Sequence, residues 1–99
     1  MGFKIELSLL AEDDLEQLVR FLAERSPAAA MKVADGIVSS IEKLKDYPRL
    51  GHVISEFERD DLREITYKSY RIPYLIKENE NTIEVVRIWH GARGKVRLT

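Results

Sequence analysis

Apolar residues recur at helical spacing through one continuous block, Ala11 to Leu44, and at alternating spacing on both sides of it. That change of period constrains the fold more than any other feature. A period of 3.6 buries one stripe of a helix, and a period of 2 buries one face of a strand. The opening FKIELSL alternates Phe3, Ile5 and Leu7 against Lys4, Glu6 and Ser8, which predicts a half-buried strand. Ala11, Leu15, Leu18, Val19 and Leu22 then form one helical stripe. Ser8 supplies a cap for this helix, and Glu12, Asp13 and Asp14 lie in its first turns, where the helix dipole favours negative charge. The helix is expected to end near Glu24. Ser26-Pro27 restarts it, because a proline at the first helical position loses no hydrogen bond. Ala30, Val33, Ala34, Ile37, Ile41 and Leu44 form the second stripe, which Met31 and Val38 widen. Tyr47-Pro48 stops this helix and Gly51 marks a loop. Two helices joined by so short a turn predict an antiparallel hairpin.

Beyond Pro48 the pattern is that of strands. Arg49 to Asp60 reads as a loop, with a short strand at His52 to Ser55. Leu62 to Lys68 and Tyr70 to Lys77 read as two strands, the second with Tyr70, Ile72, Tyr74 and Ile76 on one face. Pro73 lies inside it on the other face, and since proline cannot donate to a ladder, that position calls for a bulge or a missing partner. Glu78 to Asn81 is a polar turn, and Thr82 to His90 is read as the third strand of this run. The order β-α-α-β-β-β predicts an α+β fold, a mostly antiparallel sheet with the helical hairpin on one face, in one domain spanning residues 1–99.

Composition excludes whole classes of function. The chain has no cysteine, so a disulfide framework, a thiolate metal site and a cysteine nucleophile are all absent, which fits a cytoplasmic protein. No apolar run approaches the roughly 18 residues of a membrane span, and the opening segment meets acid at Glu6, unlike a signal peptide. The net charge is -1, but the final stretch RIWHGARGKVRLT contains Arg87, Arg93, Lys95 and Arg97 and no acid. Such a localised patch can attract an anionic partner even on a near-neutral protein. There is no P-loop, no GxGxxG and no metal-ligand spacing, so neither a metal nor a cofactor is expected.

Several short motifs follow one another in a recognisable order. FKIELS precedes A-x-x-D-L (Ala11, Asp14, Leu15), and S-P-x-x-A (Ser26, Pro27, Ala30) opens the second helix. L-x-x-Y-P-x-x-G (Leu44, Tyr47, Pro48, Gly51), L-R-E (Leu62 to Glu64), Y-R-I-x-Y (Tyr70 to Tyr74) and I-W-H-G-x-R (Ile88 to Arg93) complete the series. The whole resembles the ParE/RelE superfamily of toxins from bacterial type II toxin–antitoxin systems, with spacing closer to the ParE-like, plasmid-stabilisation branch. The resemblance implies a small toxin neutralised by an antitoxin encoded beside it, in a toxin–antitoxin hetero-oligomer. For the ParE branch it implies DNA gyrase as target, and for the RelE and YoeB branch mRNA on the ribosome.

Whether the chain is an enzyme turns on that choice. RNA cleavage through the 2′-hydroxyl needs a base, an acid and cations that stabilise the charged transition state. Arg71 and His90 occupy positions similar to an arginine and a histidine that act in YoeB-like nucleases. Arg63, Arg87, Arg93 and Arg97 are candidates for binding an anion or the target, since guanidinium grips carboxylate or phosphate with two prongs. Against a nuclease, no tyrosine follows Tyr74, and the loop ISEFERDD before Arg63 is acidic. The plainer reading pairs Arg63, Arg71 and Arg87 with Glu64, Glu84 or Asp61, bonds His90 to a carbonyl, and packs Trp89, Tyr70 and Tyr74 into the sheet. His52 has no evident role. Phe21, Met31 and Val38 exceed what a core stripe needs and are candidates for an antitoxin groove.

Overall fold

The computed structural model describes residues 2–99. Strand β1 (Lys4–Leu7) leads through Ser8 into helix α1 (Leu9–Ala23). Ser8 accepts the Ala11 amide at 3.0 Å, and its own hydroxyl donates to the Val86 carbonyl at 2.7 Å, so one cap also ties the helix to the sheet. Ser26 caps helix α2 (Pro27–Glu42) by accepting from Ala29 at 3.1 Å, with Pro27 in the first turn. A 3₁₀ turn, Lys43–Lys45, finishes the hairpin.

The remaining strands are β2 (His52–Val53), β3 (Leu62–Tyr67), β4 (Tyr70–Lys77), β5 (Thr82–Val85) and β6 (Trp89–His90). Their order in the sheet is β1-β5-β4-β3-β2, with β6 on β4. All pairs are antiparallel except β1 with β5, where Lys4 lies opposite Thr82 and Leu7 opposite Val85. The α+β architecture, with a mostly antiparallel sheet, is therefore the one the periodicity predicts. The short strand after Gly51 stops at Val53 instead of Ser55.

The expected strand from Thr82 to His90 is not continuous. Tyr74 pairs with Val85, but Arg71 pairs with Trp89, so Val86, Arg87 and Ile88 face only Ile72 and Pro73 across the gap. This extra residue is a bulge. It lies at the proline: Val86 donates to the Pro73 carbonyl at 2.9 Å, and Pro73 has no N–H to return.

The helices cover the face of the sheet that carries Ile65, Tyr67, Tyr70 and Ile72. Ala11, Ile37, Ile41, Ile72, Val85 and Ile88 form one buried cluster, and Leu44, Tyr74, Ile76 and Ile83 a second. Ile41 is buried as its stripe predicts; Leu18 is only half-buried. Helix α2 presses so closely on β3 that a Cβ at Gly36 would stand 2.1 Å from the Tyr67 ring. Tyr74, read as a packing residue, is fully buried, and its hydroxyl accepts from the Gly51 amide at 2.9 Å and donates to the Pro48 carbonyl at 2.7 Å. Among the described residues, no helix is long and apolar enough to cross a membrane.

Candidate interaction surface

Arg87 sits in the bulge, where the chain turns away from the ladder and a long side chain can reach sideways. Its Nε and Nη2 donate to the two carboxylate oxygens of Asp14 at 2.7 and 2.8 Å. Its Nη1 donates to the Arg97 carbonyl at 2.9 Å, and the Ile88 amide donates to Asp14 at 3.0 Å. Both side chains of the pair are under one-tenth exposed. Hydrogen bonding to Asp14 holds the Arg87 guanidinium protonated above its ordinary range, against the cost of burial. Arg87 was expected to bind an anion or the target, or to pair with Glu64, Glu84 or Asp61. It is instead bound to Asp14, because the bulge aims it at α1 and away from its strand neighbours.

The basic segment from Gly91 to Thr99 is tied to the last strand at two of its carbonyls. Trp89 is buried, with the Arg87 guanidinium 4.9 Å and the Arg93 guanidinium 4.2 Å from its ring centre. Its indole N–H donates to the Gly94 carbonyl at 3.1 Å. Gly91–Arg93 form a 3₁₀ turn, and Gly91 donates to the Ser69 carbonyl at 2.7 Å. The C-terminal segment is thus a hook pinned by the side chains of Arg87 and Trp89. Arg93, Lys95 and Arg97 are exposed on it. The ion pairs among the described residues leave all three without a carboxylate.

Arg71 Nε donates to one oxygen of Glu64 at 2.9 Å, and Nη2 stands 2.8 Å from the same oxygen in an ion pair. Glu64 is only 3% exposed, and its other oxygen stands 3.5 Å from His52 Nε2. His52, which had no evident role, therefore completes the surroundings of a buried carboxylate. Tyr70 lies opposite His90, and Arg71 opposite Trp89. Residues directly opposite share a face and consecutive residues alternate, so Arg71 and His90 project from opposite faces of the sheet. His90 meets the Tyr70 ring edge-on at 5.1 Å, and its Nδ1 accepts the Ala92 amide at 3.1 Å instead of bonding a carbonyl. The two candidates for proton transfer are not brought together. Arg63 braces the loop before β3, donating to Asp60 at 2.7 Å and to the Gly51 carbonyl at 2.9 Å.

A cleft of about 560 Å³ opens between α1 and the β4–β6 corner, floored by Leu18, Leu22, Tyr70 and Ile88 and rimmed by Phe21, His90 and Arg93. It explains why Leu18 is half-buried, and why Phe21 remains 55% exposed. Met31 and Val38 are exposed on α2 and do not line this cleft, so the three residues expected to form one groove fall on different elements. Among the described residues, no group of three His, Asp or Glu side chains is placed to hold a metal ion.

Asp14 and Glu64 are the members of this surface that sequence reasoning passed over as dipole and pairing residues. The signal was present in the same periodicity. Asp14 lies three residues after Ala11 and four before Leu18, on the apolar stripe, and Glu64 alternates in phase with Leu62. A carboxylate on a buried face requires a cation.

Residues 5–94 match the family described as ParE toxin of type II toxin-antitoxin system, parDE. Toxin RelE1 of Caulobacter vibrioides is 28% identical over 91 residues, covering 92% of this chain and 96% of that protein. A chain of the chromosomal ParDE toxin–antitoxin system from P. aeruginosa superposes with a TM-score of 0.72 at 20% identity, covering 90% of this chain and 96% of that one. The E. coli toxin RelE, as a mutant in the free state, gives 0.71 at 13% identity, with 95% and 88% covered. The RelBE2 toxin–antitoxin complex of Mycobacterium tuberculosis gives 0.57 at 22%, with 91% and 99% covered. These structural likenesses carry the fold.

Proposed function

This chain belongs to the ParE toxin family of type II toxin–antitoxin systems, and from that premise we propose that it poisons DNA gyrase by binding, not by catalysis. The observation that supports this reading is the register of β4 and β6. It sends Arg71 and His90 to opposite faces, with Arg71 bound to Glu64 and His90 Nδ1 bound to its own turn. A general acid and base must reach one substrate within hydrogen-bonding distance, and placement on opposite faces of the sheet argues against that for this pair. The exposed cations Arg93 and Arg97 on the hook are the proposed contacts with the target; Arg63, committed to Asp60 and the Gly51 carbonyl, is not among them. Gyrase is a cytoplasmic enzyme, so the toxin acts in the cytoplasm.

The solved relatives described as a ParDE system and as a RelBE2 complex support an antitoxin partner for this chain as well. We place its contacts on the exposed apolar residues of the hairpin, Phe21 on α1 with Met31 and Val38 on α2, as an amphipathic segment would require.

Two purified reactions decide the target: gyrase with supercoiled plasmid, and programmed ribosomes with labelled mRNA. The expected result is inhibition of gyrase that persists in His90→Ala, with intact mRNA. Cleavage of mRNA that falls about a hundredfold or more in His90→Ala or Arg71→Ala, with gyrase untouched, would replace this reading with a ribosome-dependent endoribonuclease.

A further inference from the structure

The last backbone contact between the body of the fold and the C-terminal segment is the Gly91 amide on the Ser69 carbonyl. Beyond it the Gly94 amide closes the turn on the Gly91 carbonyl, and the ties to the rest of the fold are made by side chains. Arg87 fixes the Arg97 carbonyl, Trp89 fixes the Gly94 carbonyl, and Asp14 orients Arg87 from α1 across 73 positions of sequence. A buried ion pair seldom adds more stability than apolar packing of the same volume. Its distinctive property is direction, because guanidinium donates along fixed axes and a carboxylate accepts along fixed axes. In Arg87 two of those axes point at Asp14 and a third points at the hook.

We propose that Asp14 and Arg87 are positioning residues that hold the C-terminal hook so that Arg93 and Arg97 meet the acidic groups of the target protein as a fixed pair of cations. This rests on the reading that those cations touch the target. Asp14 neutralises Arg87, so Arg87 itself is not a contact. Trp89, the only tryptophan of the chain, lies against both Arg87 and Arg93 and reports whether the hook is in place.

The test uses the full chain in four forms: wild type, Asp14→Ala, Arg93→Ala/Arg97→Ala, and the triple variant, with Asp14→Asn as a milder fifth that keeps an acceptor for the Ile88 amide. Growth arrest on induction and gyrase inhibition measure potency. Trp89 emission and acrylamide quenching measure the hook. Asp14→Ala is expected to shift the emission to the red, raise quenching and cut potency roughly tenfold, while the triple variant loses less than about twofold beyond the double one. Arg87→Lys, which keeps the charge without the fork, should move the emission as Asp14→Ala does. Unmoved emission in folded Asp14→Ala, or in Asp14→Asn should the alanine variant not fold, overturns the proposal. So do losses that multiply in the triple variant, since a general loss of stability would act in any background. If wild type arrests growth and shows the non-additive pattern but spares gyrase, the target assignment fails and the positioning role stands. A chain that neither arrests growth nor inhibits gyrase overturns both.

Discussion

Replacing Tyr74 by phenylalanine removes one oxygen atom from the centre of the protein and tests what holds the loop before β3. The ring stays, and so does its packing against Leu44, Ile76 and Ile83. Two hydrogen bonds go: the one accepted from the Gly51 amide at 2.9 Å and the one donated to the Pro48 carbonyl at 2.7 Å. A net hydrogen bond contributes about 0.5–1.5 kcal/mol, and a buried amide left without a partner costs about 1–3 kcal/mol. Gly51 is buried, so its amide incurs that larger cost, whereas the Pro48 side is only part-buried and water can replace the lost donor. The expected loss is therefore roughly 2–4 kcal/mol. For a chain of this size that lowers the melting temperature by about 10–25 °C. Urea unfolding followed by Trp89 fluorescence and by circular dichroism gives the number. The two probes should coincide, and the denaturant slope should not change. A loss below about 0.5 kcal/mol would mean that the bond from Arg63 to the Gly51 carbonyl suffices, and would refute the reasoning.

Three further outcomes are expected. Gly36→Ala should destabilise the fold although alanine is the better helix former by about 1 kcal/mol, because its methyl collides with the Tyr67 ring and overpacking costs about 1–3 kcal/mol; a raised urea midpoint would show that Tyr67 can swing aside. Burial raises the pKa of Tyr70 and of Tyr74 above the ordinary 10.0, so the folded state holds both phenolic protons more tightly than the unfolded chain does. Their contribution is then complete below that value and is lost as pH rises past it, so urea midpoints should fall between pH 9 and 11; a flat midpoint over that range would contradict it. Phe21→Asp should weaken co-purification of the antitoxin at least about tenfold with little change in melting temperature, as a half-exposed contact residue would; unchanged affinity would take Phe21 out of the antitoxin contact.

The hairpin and its limits were legible in the residues themselves. Ser8, Ser26-Pro27 and Tyr47-Pro48 start and stop the helices through bonds to backbone a few positions away, so the relevant partners are already adjacent in the chain. Tyr70–Lys77 begins and ends where its alternation does, and Pro73 announced a fault in the ladder. What lay beyond the sequence was every choice among distant partners. The alternation of β1 says that one face is buried, but not that β5 would lie beside it in parallel. Arg87 had Glu64, Glu84 and Asp61 within its own half of the chain, and bonds Asp14, because a guanidinium takes the carboxylate that the fold brings to its fork. The relation of Arg71 to His90 was undecidable for the same reason. A one-residue bulge reverses which side chains share a face. Only the paired strands place Trp89, and not His90, beside Arg71, and so set the two candidate groups on opposite faces of the sheet.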